Sequence, residues 1–438
     1  MTDHYAKSDD GKVLINPLLK RLWPNPATEN VSAAEIAAAI SLIFTDSLSP
    51  VQTGALLTAL HFTGWDRRAD VIAACAAAMR DAATPVDGKA LRRVVREKGR
   101  PEGSYRGGLC DIVGTGGDSH STFNVSTASS LLCAPFLLLA KHGNRASTSS
   151  SGSADILSAF PSTPPSLPSI TPATLPSLYQ SSNYAFLFAP QFHPGMRHVA
   201  AVRKQLGWRT IFNLLGPLAN PADKSGAVEA RVVGVARRDL GPVFADALRR
   251  SGCRKAMVVC GEEELDEISC AGNTLCWRLV ETGAAGKAAK CGADLSSESD
   301  TDEDLSQEEL EGLVKIEPFT LHPEDFGLPA HPLSTVGPGR SPAANALTLQ
   351  SMLRGELSDD DPVLHFVLMN AAALLVVAGV CDADESNMGD DDDGKVVKER
   401  GPGGGRWKEG VRRVKWAVRN GAAWREWERF VGGTREGM

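Results

Sequence analysis

An apolar run, residues 109–113, leads directly into the glycine-rich stretch Gly114-Thr115-Gly116-Gly117-Asp118. The run predicts a buried strand. The loop after it has almost no side chains, so its backbone N–H groups can approach an anion closely. Residues 121–127 are rich in hydroxyl groups and precede a predicted helix whose N-terminus would face the same anion. Both features suit a phosphate, although Gly-Thr-Gly-Gly also occurs in ordinary turns.

The chain beyond residue 85 alternates between β-rich and helical segments. The β-rich runs are residues 109–113, 228–235 and 255–260, and a helical stretch covers residues 240–251. This alternation predicts a mostly parallel central sheet with helices on both faces. Gly114 and Gly261 follow two of the runs, at the carboxyl ends of strands where such sheets bind ligands.

The N-terminal part of the chain has helical rather than β periodicity. Apolar residues recur at helical spacing from Leu14 to Ala83, with capping signals at Ser32 and at Ser49-Pro50. We therefore predict an α/β protein with a small helical domain at residues 14–86 and a larger α/β domain at residues 87–438. Residues 1–13 are predicted to be flexible.

Three segments read as insertions in the α/β domain. Residues 161–176 are rich in Pro and Ser and predict an extended surface loop, while residues 291–311 and 382–405 are acidic. The chain then closes with a helical, tryptophan-rich segment. Its tryptophans favour packing onto the helical domain, with a membrane or partner surface as the alternative: Trp407, Trp416, Trp424 and Trp427.

Composition excludes several classes of protein. The net charge of the 438 residues is -7, which argues against a protein that coats nucleic acid. The 9 cysteines are scattered without a Cys-x-x-Cys pair, which favours a reducing compartment. Residues 1–16 lack the apolar core of a secretion signal, and the apolar run 370–380 is too short to cross a bilayer. We expect a cytoplasmic protein without nucleic-acid or membrane partners.

Several motifs together resemble one known family. Residues 111–127 and 141–153 are similar, in order and nearly in spacing, to the signature of the anthranilate phosphoribosyltransferase family. The resemblance runs from about Ala34 to Val380 and includes further stretches at 186–190, 193–194, 202–207, 210–221 and 265–268. It implies a fold of the nucleoside phosphorylase-like phosphoribosyltransferases, with part of residues 185–220 packing on the helical domain. It also implies a homodimer that pairs through the helical domain.

The resemblance implies transfer of the phosphoribosyl group from 5-phosphoribosyl 1-diphosphate to the amine of anthranilate. The residues then expected to bind the donor and its diphosphate are Gly114, Gly116, Gly117, Asp118, Thr122, Asn124, Val125, Ser126, Thr127, Lys141, His142, Gly143, Asn144, Ser149 and Ser153. By composition alone, two alternatives stay open: Lys141 and Arg145 as ordinary surface charges, and residues 147–153 as a flexible linker.

The same resemblance implies an Mg²⁺ site at Asp266 and Glu267, with the Ser126 hydroxyl contributing. Adjacent carboxylates on a loop are usually only solvated charge. A diphosphate leaving group nevertheless needs divalent cations, and Mg²⁺ is commonly held by one or two carboxylates together with substrate oxygens.

The acceptor site is implied at Gly114, Asn144 and Arg203, with Arg203 pairing with the anthranilate carboxylate. A planar guanidinium suits such a bidentate contact, although an arginine on a helix is commonly just exposed. His142 is a candidate general base. The amine of anthranilate is neutral at pH 7, however, so it needs no deprotonation before attack.

Two competing functions remain at this point. A pyrimidine nucleoside phosphorylase of the same fold would not need Asp266-Glu267 together with Arg203. A non-catalytic relative that binds nucleic acid would lack the metal carboxylates and have a basic groove. The chain also departs from the family at Ser150, His120 and residues 337–340.

Overall fold

The computed structural model describes residues 5–23, 31–146, 151–161, 163–282, 312–337, 341–389 and 391–436. Its first part is a bundle of helices: α1 (Asn16–Leu22), α2 (Ala33–Phe44), α3 (Pro50–Thr63) and α4 (Ala69–Asp81). Ser32 and Ser49 cap α2 and α3 by accepting hydrogen bonds from Glu35 N and Gln52 N, as predicted. Residues 5–13 lie against this bundle, since Val13 is buried and its N–H donates to Ser47 O at 2.9 Å.

The second part is built on a seven-stranded sheet with the order β3-β2-β1-β4-β5-β6-β7. Its strands are β1 (Leu109–Gly114), β2 (Leu138–Gly143), β3 (Tyr184–Phe188), β4 (Val228–Gly234), β5 (Lys255–Gly261), β6 (Thr274–Glu281) and β7 (Val314–Leu321). Strands β1 to β5 pair in parallel, and β6 and β7 add an antiparallel edge. The predicted helical domain and mostly parallel sheet are confirmed.

Helices cover both faces of the sheet. They are α5 (Gly88–Lys98), α6 (Val125–Cys133), α7 (Ser153–Ser158), α8 (Leu175–Ser181), α9 (Ala189–Phe192), α10 (Arg197–Leu206), α11 (Phe212–Leu215), α12 (Leu240–Arg250), α13 (Pro342–Leu353), α14 (Pro362–Ala378), α15 (Trp407–Arg419) and α16 (Ala422–Glu436). In the described ranges, no helix has the length and apolar composition needed to cross a bilayer.

Two apolar cores lie on opposite sides of the sheet. One contains α5, α6, α8 and α13 to α16. The other joins α12 and one face of β4 and β5 to the helical bundle. Residues 194–218 also contribute to this second core, where α10 packs on α3 and α11 packs on α4. The helical domain is therefore packed directly against the sheet domain, beside the carboxyl ends of the strands.

The C-terminal helices correct one prediction. They do not pack on the N-terminal helical domain; α15 packs on α14, and α16 packs on α6 and α8. The aromatic partners of these tryptophans lie in the sheet domain: the centre of the Trp427 ring is 4.1 Å from that of Phe160, and Trp407 packs beside Phe326. The tryptophans thus complete the core on the far side of the sheet.

The insertions differ from one another. Residues 161–176 were predicted to form a surface loop, but Leu167 and Ile170 are buried and Ser166 N donates to Thr434 on α16. Their apolar side chains fill the space between α8 and α16. Residues 291–311 lie outside the described part of the chain. The segment 382–405 runs along α15, where Val397 N donates to Glu409.

Candidate functional site

The glycine loop leaves the end of β1 and turns back over a carboxylate. Gly116 and Gly117 have φ values of +63° and +79°, a backbone conformation that favours glycine. The Gly116 N–H donates to Asp266 Oδ2 at 2.6 Å, and a Cβ on Gly114 would overlap the same carboxylate. The predicted donor loop and the predicted metal acid are therefore in direct contact.

The N-terminus of α6 continues this surface. Asn124 caps the helix by accepting from Thr127 N at 3.2 Å, and the Ser126 N–H donates to Glu267. Thr127 Oγ1 donates to Ser153 Oγ at 2.8 Å, which ties α6 to the start of α7. Val125 is buried and Thr122 is half-buried beside them. Ser149, the other serine predicted to bind the donor, lies outside the described residues.

Three acids meet beneath the loop. Asp118, Asp266 and Glu267 are all half-buried. Burial and the neighbouring Asp266 raise the pKa of Asp118 to about 7. Burial, Asp266 and Asp118 also raise the pKa of Glu267 well above its ordinary value. The cluster therefore carries more negative charge than its surroundings compensate.

The donor set of this cluster fits a divalent cation. Glu267 Oε2 is buried, and no hydrogen-bond partner for it is found among the described residues. Those residues contain no ready-made cage of three or more His, Cys, Asp or Glu side chains. Mg²⁺ suits such an incomplete set, because it commonly takes only one or two carboxylates and completes its shell with phosphate oxygens and water.

Lys141 lies below the loop rather than at its mouth. The side chain is 1% exposed, and Nζ donates to Ile112 O at 2.7 Å. Burial lowers the pKa of Lys141, while the nearby Asp111, Glu267 and Asp266 act in the opposite direction. In this position its charge balances the acids, and its contact with the donor stays a prediction.

A cavity of about 620 Å³ opens beside the loop, between the sheet and the helical domain. Gly114, Asn144 and Arg203, the three residues predicted to bind the acceptor, all line it. The Arg203 guanidinium lies 5.8 Å from the centre of the Phe212 ring. Within the described part of the chain, no hydrogen bond or ion pair to the Arg203 side chain is found. A half-buried arginine therefore faces this cavity with its donors available to a carboxylate.

His142 lines the same cavity and is neutral. Its ring is 5% exposed, and Nδ1 lies 3.2 Å from Gly216 O, which makes Nδ1 the protonated nitrogen. Nε2 is buried, with no hydrogen-bond partner in the described ranges. Burial and then the nearby His193 lower the pKa of His142 to about 3. Nε2 can accept a hydrogen bond, but a group with this pKa is a weak base.

The remaining predicted residues shape the boundary between loop and cavity. A Cβ on Gly143 would lie 2.7 Å from the Phe186 ring, so only glycine fits there without displacing the ring. Asn144 O accepts from Ala154 N at 3.1 Å, which links the residue after β2 to the first turn of α7.

Arg209 also belongs to the site, although the sequence analysis did not select it. Its guanidinium packs on Gly117, and its Nη2 donates to Thr115 O at 3.3 Å. Arg209 stands one residue before the motif that begins at Thr210, but that position alone does not distinguish it from an exposed arginine. Only the folded chain brings it back over the glycine loop.

A second cavity, of about 510 Å³, lies at the opposite end of the strands, near the amino ends of β4 and β5. Arginines and lysines such as Arg80, Arg231 and Lys255 line it together with carboxylates. It contains none of the predicted site residues, so the chemistry belongs to the cavity beside Gly114.

Comparison with known proteins agrees with this geometry. Residues 16–83 match the helical bundle domain of the glycosyl transferase family, and residues 106–311 and 289–424 match its α/β domain. The anthranilate phosphoribosyltransferase of Schizosaccharomyces pombe is 38% identical over 94% of this chain and 94% of its own length.

Two solved structures from Saccharomyces cerevisiae are also similar. Anthranilate phosphoribosyltransferase in complex with PRPP and Mg has a TM-score of 0.71 and 27% identity, covering 95% of this chain and 97% of its own. The complex with 4-fluoroanthranilate has a TM-score of 0.69 and 27% identity, covering 95% and 96%.

Proposed function

The chain belongs to the anthranilate phosphoribosyltransferase family, and on that premise we propose how its site performs the family's reaction. The reaction transfers the phosphoribosyl group of 5-phosphoribosyl 1-diphosphate to the amine of anthranilate. Its products are N-(5-phosphoribosyl)anthranilate and diphosphate. The observation that carries the proposal is that Arg203, whose side chain has no hydrogen-bond or ion-pair partner among the described residues, lines one cavity together with Gly114 and Thr115, where the glycine loop begins.

The donor binds on the glycine-loop side. Backbone N–H groups of Gly116 and Gly117, together with the N-terminus of α6, suit the diphosphate because they present donors without bulky side chains. Ser153, held by Thr127 at 2.8 Å, is positioned to donate to a phosphate at the start of α7.

Asp266, Glu267 and the Ser126 hydroxyl would hold Mg²⁺. The yeast structure that contains PRPP also contains Mg, and the unpartnered Oε2 of Glu267 supports an ion at this position. Bound Mg²⁺ supplies positive charge that stabilises the departing diphosphate.

The acceptor binds on the Arg203 side. Its carboxylate pairs with the guanidinium of Arg203, and its amine lies toward Gly114 and Asn144, where the loop begins. His142 lines the cavity beside the amine and helps to orient it. The low pKa of His142 makes it a positioning group rather than a base.

The chemical step then needs little from side chains beyond placement. The bond between C1 of the ribose and the diphosphate oxygen breaks, and its electron pair leaves with the diphosphate. The neutral amine attacks C1 with its lone pair, and the nitrogen then loses one proton to water. Holding the two substrates on adjoining surfaces removes much of the entropic barrier to their reaction. The fixed charges of the site stabilise the charge that develops.

We also propose that the protein is a homodimer that pairs through its helical domain. On α3, Val51 is 78% exposed and Phe62 is 62% exposed. The Phe62 ring packs at 5.6 Å against Trp208, which is also exposed. Exposed apolar groups of this kind are typical of a surface that a second copy covers.

A cytoplasmic location without nucleic-acid partners is part of the same proposal. All the cysteines in the described ranges are free, which suits a reducing compartment, and the net charge of -7 disfavours nucleic acid.

The test of this function is direct. The purified protein should consume anthranilate, measured as a fall in its fluorescence, only when both 5-phosphoribosyl 1-diphosphate and Mg²⁺ are present. Reactions that lack either component are the controls. Turnover of a pyrimidine nucleoside with inorganic phosphate, and none with anthranilate, would contradict the proposal.

A further inference from the structure

Arg209 is the one arginine that packs directly on the donor loop in the described chain. A Cβ on Gly117 would overlap its Nη1, so the guanidinium rests on the bare backbone of that residue. Its Nη2 donates to Thr115 O at 3.3 Å. The glycine at 117 is thus required by Arg209 as well as by the positive φ of the loop.

The charge of Arg209 acts on the same acids that the metal needs. Its electrostatic partners are Asp266 and Asp118, although it makes no direct ion pair with a described carboxylate. Asp118 and Asp266 are themselves hydrogen-bonded to each other. A guanidinium is always charged, so its presence compensates part of the negative charge of this cluster.

The loop is also satisfied from within. Gly116 N, one of the amides suited to a phosphate, donates to Asp266 Oδ2 at 2.6 Å. Asp266 therefore takes the place of an anion in the loop, and Arg209 takes the place of a cation beside the acids. A divalent ion entering alone would meet carboxylates whose charge is already partly balanced, and it would be repelled by the guanidinium.

We propose that Arg209 is a positioning residue that acts as the resident counter-cation of the donor site. It holds the loop over Asp266 while the site is empty, and it weakens metal binding until the negatively charged donor arrives. Metal and donor are thereby made to bind together. This inference rests on the proposed function, because it assumes a donor that carries diphosphate.

The test measures metal binding to the free enzyme, with Mn²⁺ as a paramagnetic substitute for Mg²⁺ and EPR as the readout. Arg209→Met should bind Mn²⁺ more tightly than wild type by about tenfold, the scale expected for removing one nearby charge in a partly screened site. Arg209→Lys keeps the charge and should bind Mn²⁺ as weakly as wild type. Arg237→Met is the matched control, because Arg237 is exposed and pairs with Asp239.

A second variant covers the case in which Arg209→Met does not fold. Gly117→Ala pushes the guanidinium off the loop without removing it, and it should also tighten Mn²⁺ binding. Mn²⁺ affinity no higher than wild type in the folded variant would overturn the inference. Because this readout uses no turnover, it is separate from the anthranilate assay, whose failure in wild type would instead overturn the proposed function.

Discussion

The two halves of the site solve the same electrostatic problem in opposite ways. On the donor side, part of the site is paired within the protein: Gly116 N donates to Asp266 at 2.6 Å, and the Arg209 guanidinium lies over Gly117. On the acceptor side, Arg203 and His142 line a cavity, and the Arg203 side chain has no hydrogen-bond or ion-pair partner in the described chain. The donor side is thus partly neutralised by its own residues, whereas the charged group of the acceptor side has no such partner in the described ranges.

The difference follows from the charge of each ligand. A diphosphate with its cation brings several charges, and the groups that bind it would be destabilised by one another if they stood unpaired and enclosed. Anthranilate brings a single carboxylate on a rigid ring. One partly exposed guanidinium needs no protein partner before this carboxylate binds, because water solvates its charge. We therefore expect a variant on the donor side to change the kinetic constants for the donor only, and a variant on the acceptor side to change those for anthranilate only.

The largest effect is expected on the donor side, from Asp266→Asn. Asparagine keeps an oxygen that can accept from Gly116 N but removes the charge that the metal needs. We expect kcat/KM for the donor to fall by about 1000-fold, or about 4 kcal/mol of transition-state stabilisation.

Steady-state kinetics at several Mg²⁺ concentrations measure this loss, and the KM for anthranilate should stay within about twofold because Arg203 is untouched. Glu262→Gln is the control, since Glu262 is an exposed carboxylate four residues away. A loss of less than about tenfold would show that Asp266 does not bind the metal, and the contrast between the donor and acceptor sides would fail.

A smaller effect, on anthranilate rather than on the donor, is expected from Arg203→Ala. Losing a charged bidentate contact should raise the KM for anthranilate by about 100-fold and leave the KM for the donor nearly unchanged. Initial rates with each substrate varied in turn distinguish the two constants. Lys204→Ala, which truncates the exposed neighbour, should have no effect. Equal increases in both KM values would show that Arg203 does not pair with the anthranilate carboxylate.

The smallest effect is on stability, and it tests whether His142, on the acceptor side, is neutral in the folded protein. The pKa of His142 is lowered to about 3 in the folded protein from 6.5, so the unfolded chain binds more protons below pH 6.5. His142 therefore contributes stability that is fully present above pH 6.5 and is lost as the pH falls toward 3. In His142→Gln, the free energy of unfolding should decline less steeply below pH 6.5, by up to about 1.4 kcal/mol per pH unit.

Urea denaturation at several pH values between 5 and 7 measures these slopes. Wild type and His142→Gln with the same slope would mean that the imidazole is protonated in the folded state. In that case a role as acid or base would return.

Much of the fold could be predicted because it follows from short-range patterns. The strands that end at Gly114 and Gly261 were predicted from apolar runs followed by glycine, and the helices after Ser32 and Ser49 from their caps. The antiparallel pair β6 and β7 was not predicted, because which strands pair at the edge of a sheet depends on contacts distant in sequence.

The site was predictable to a different degree in its two halves. Gly114, Asn144 and Arg203 were expected at one place, and they do line one cavity. Arg209 was missed, because nothing in the stretch around Thr210 distinguishes an arginine that returns to the glycine loop from one that stays in water. The C-terminal tryptophans were assigned to the wrong domain for a similar reason, since amphipathic helices show that a face is buried but not against what.

The amino-acid sequence by itself determined the chemistry available here: a side-chain-poor loop after a strand, two adjacent acids and an arginine suited to a carboxylate. Those properties are local, and they follow from residue type and spacing along the chain. Only the tertiary structure decided that Asp266 accepts from the loop, that Lys141 is buried beneath it and that Arg209 lies over Gly117. Charges interact through space, so their pairing is set by how distant segments pack and not by their order in the chain.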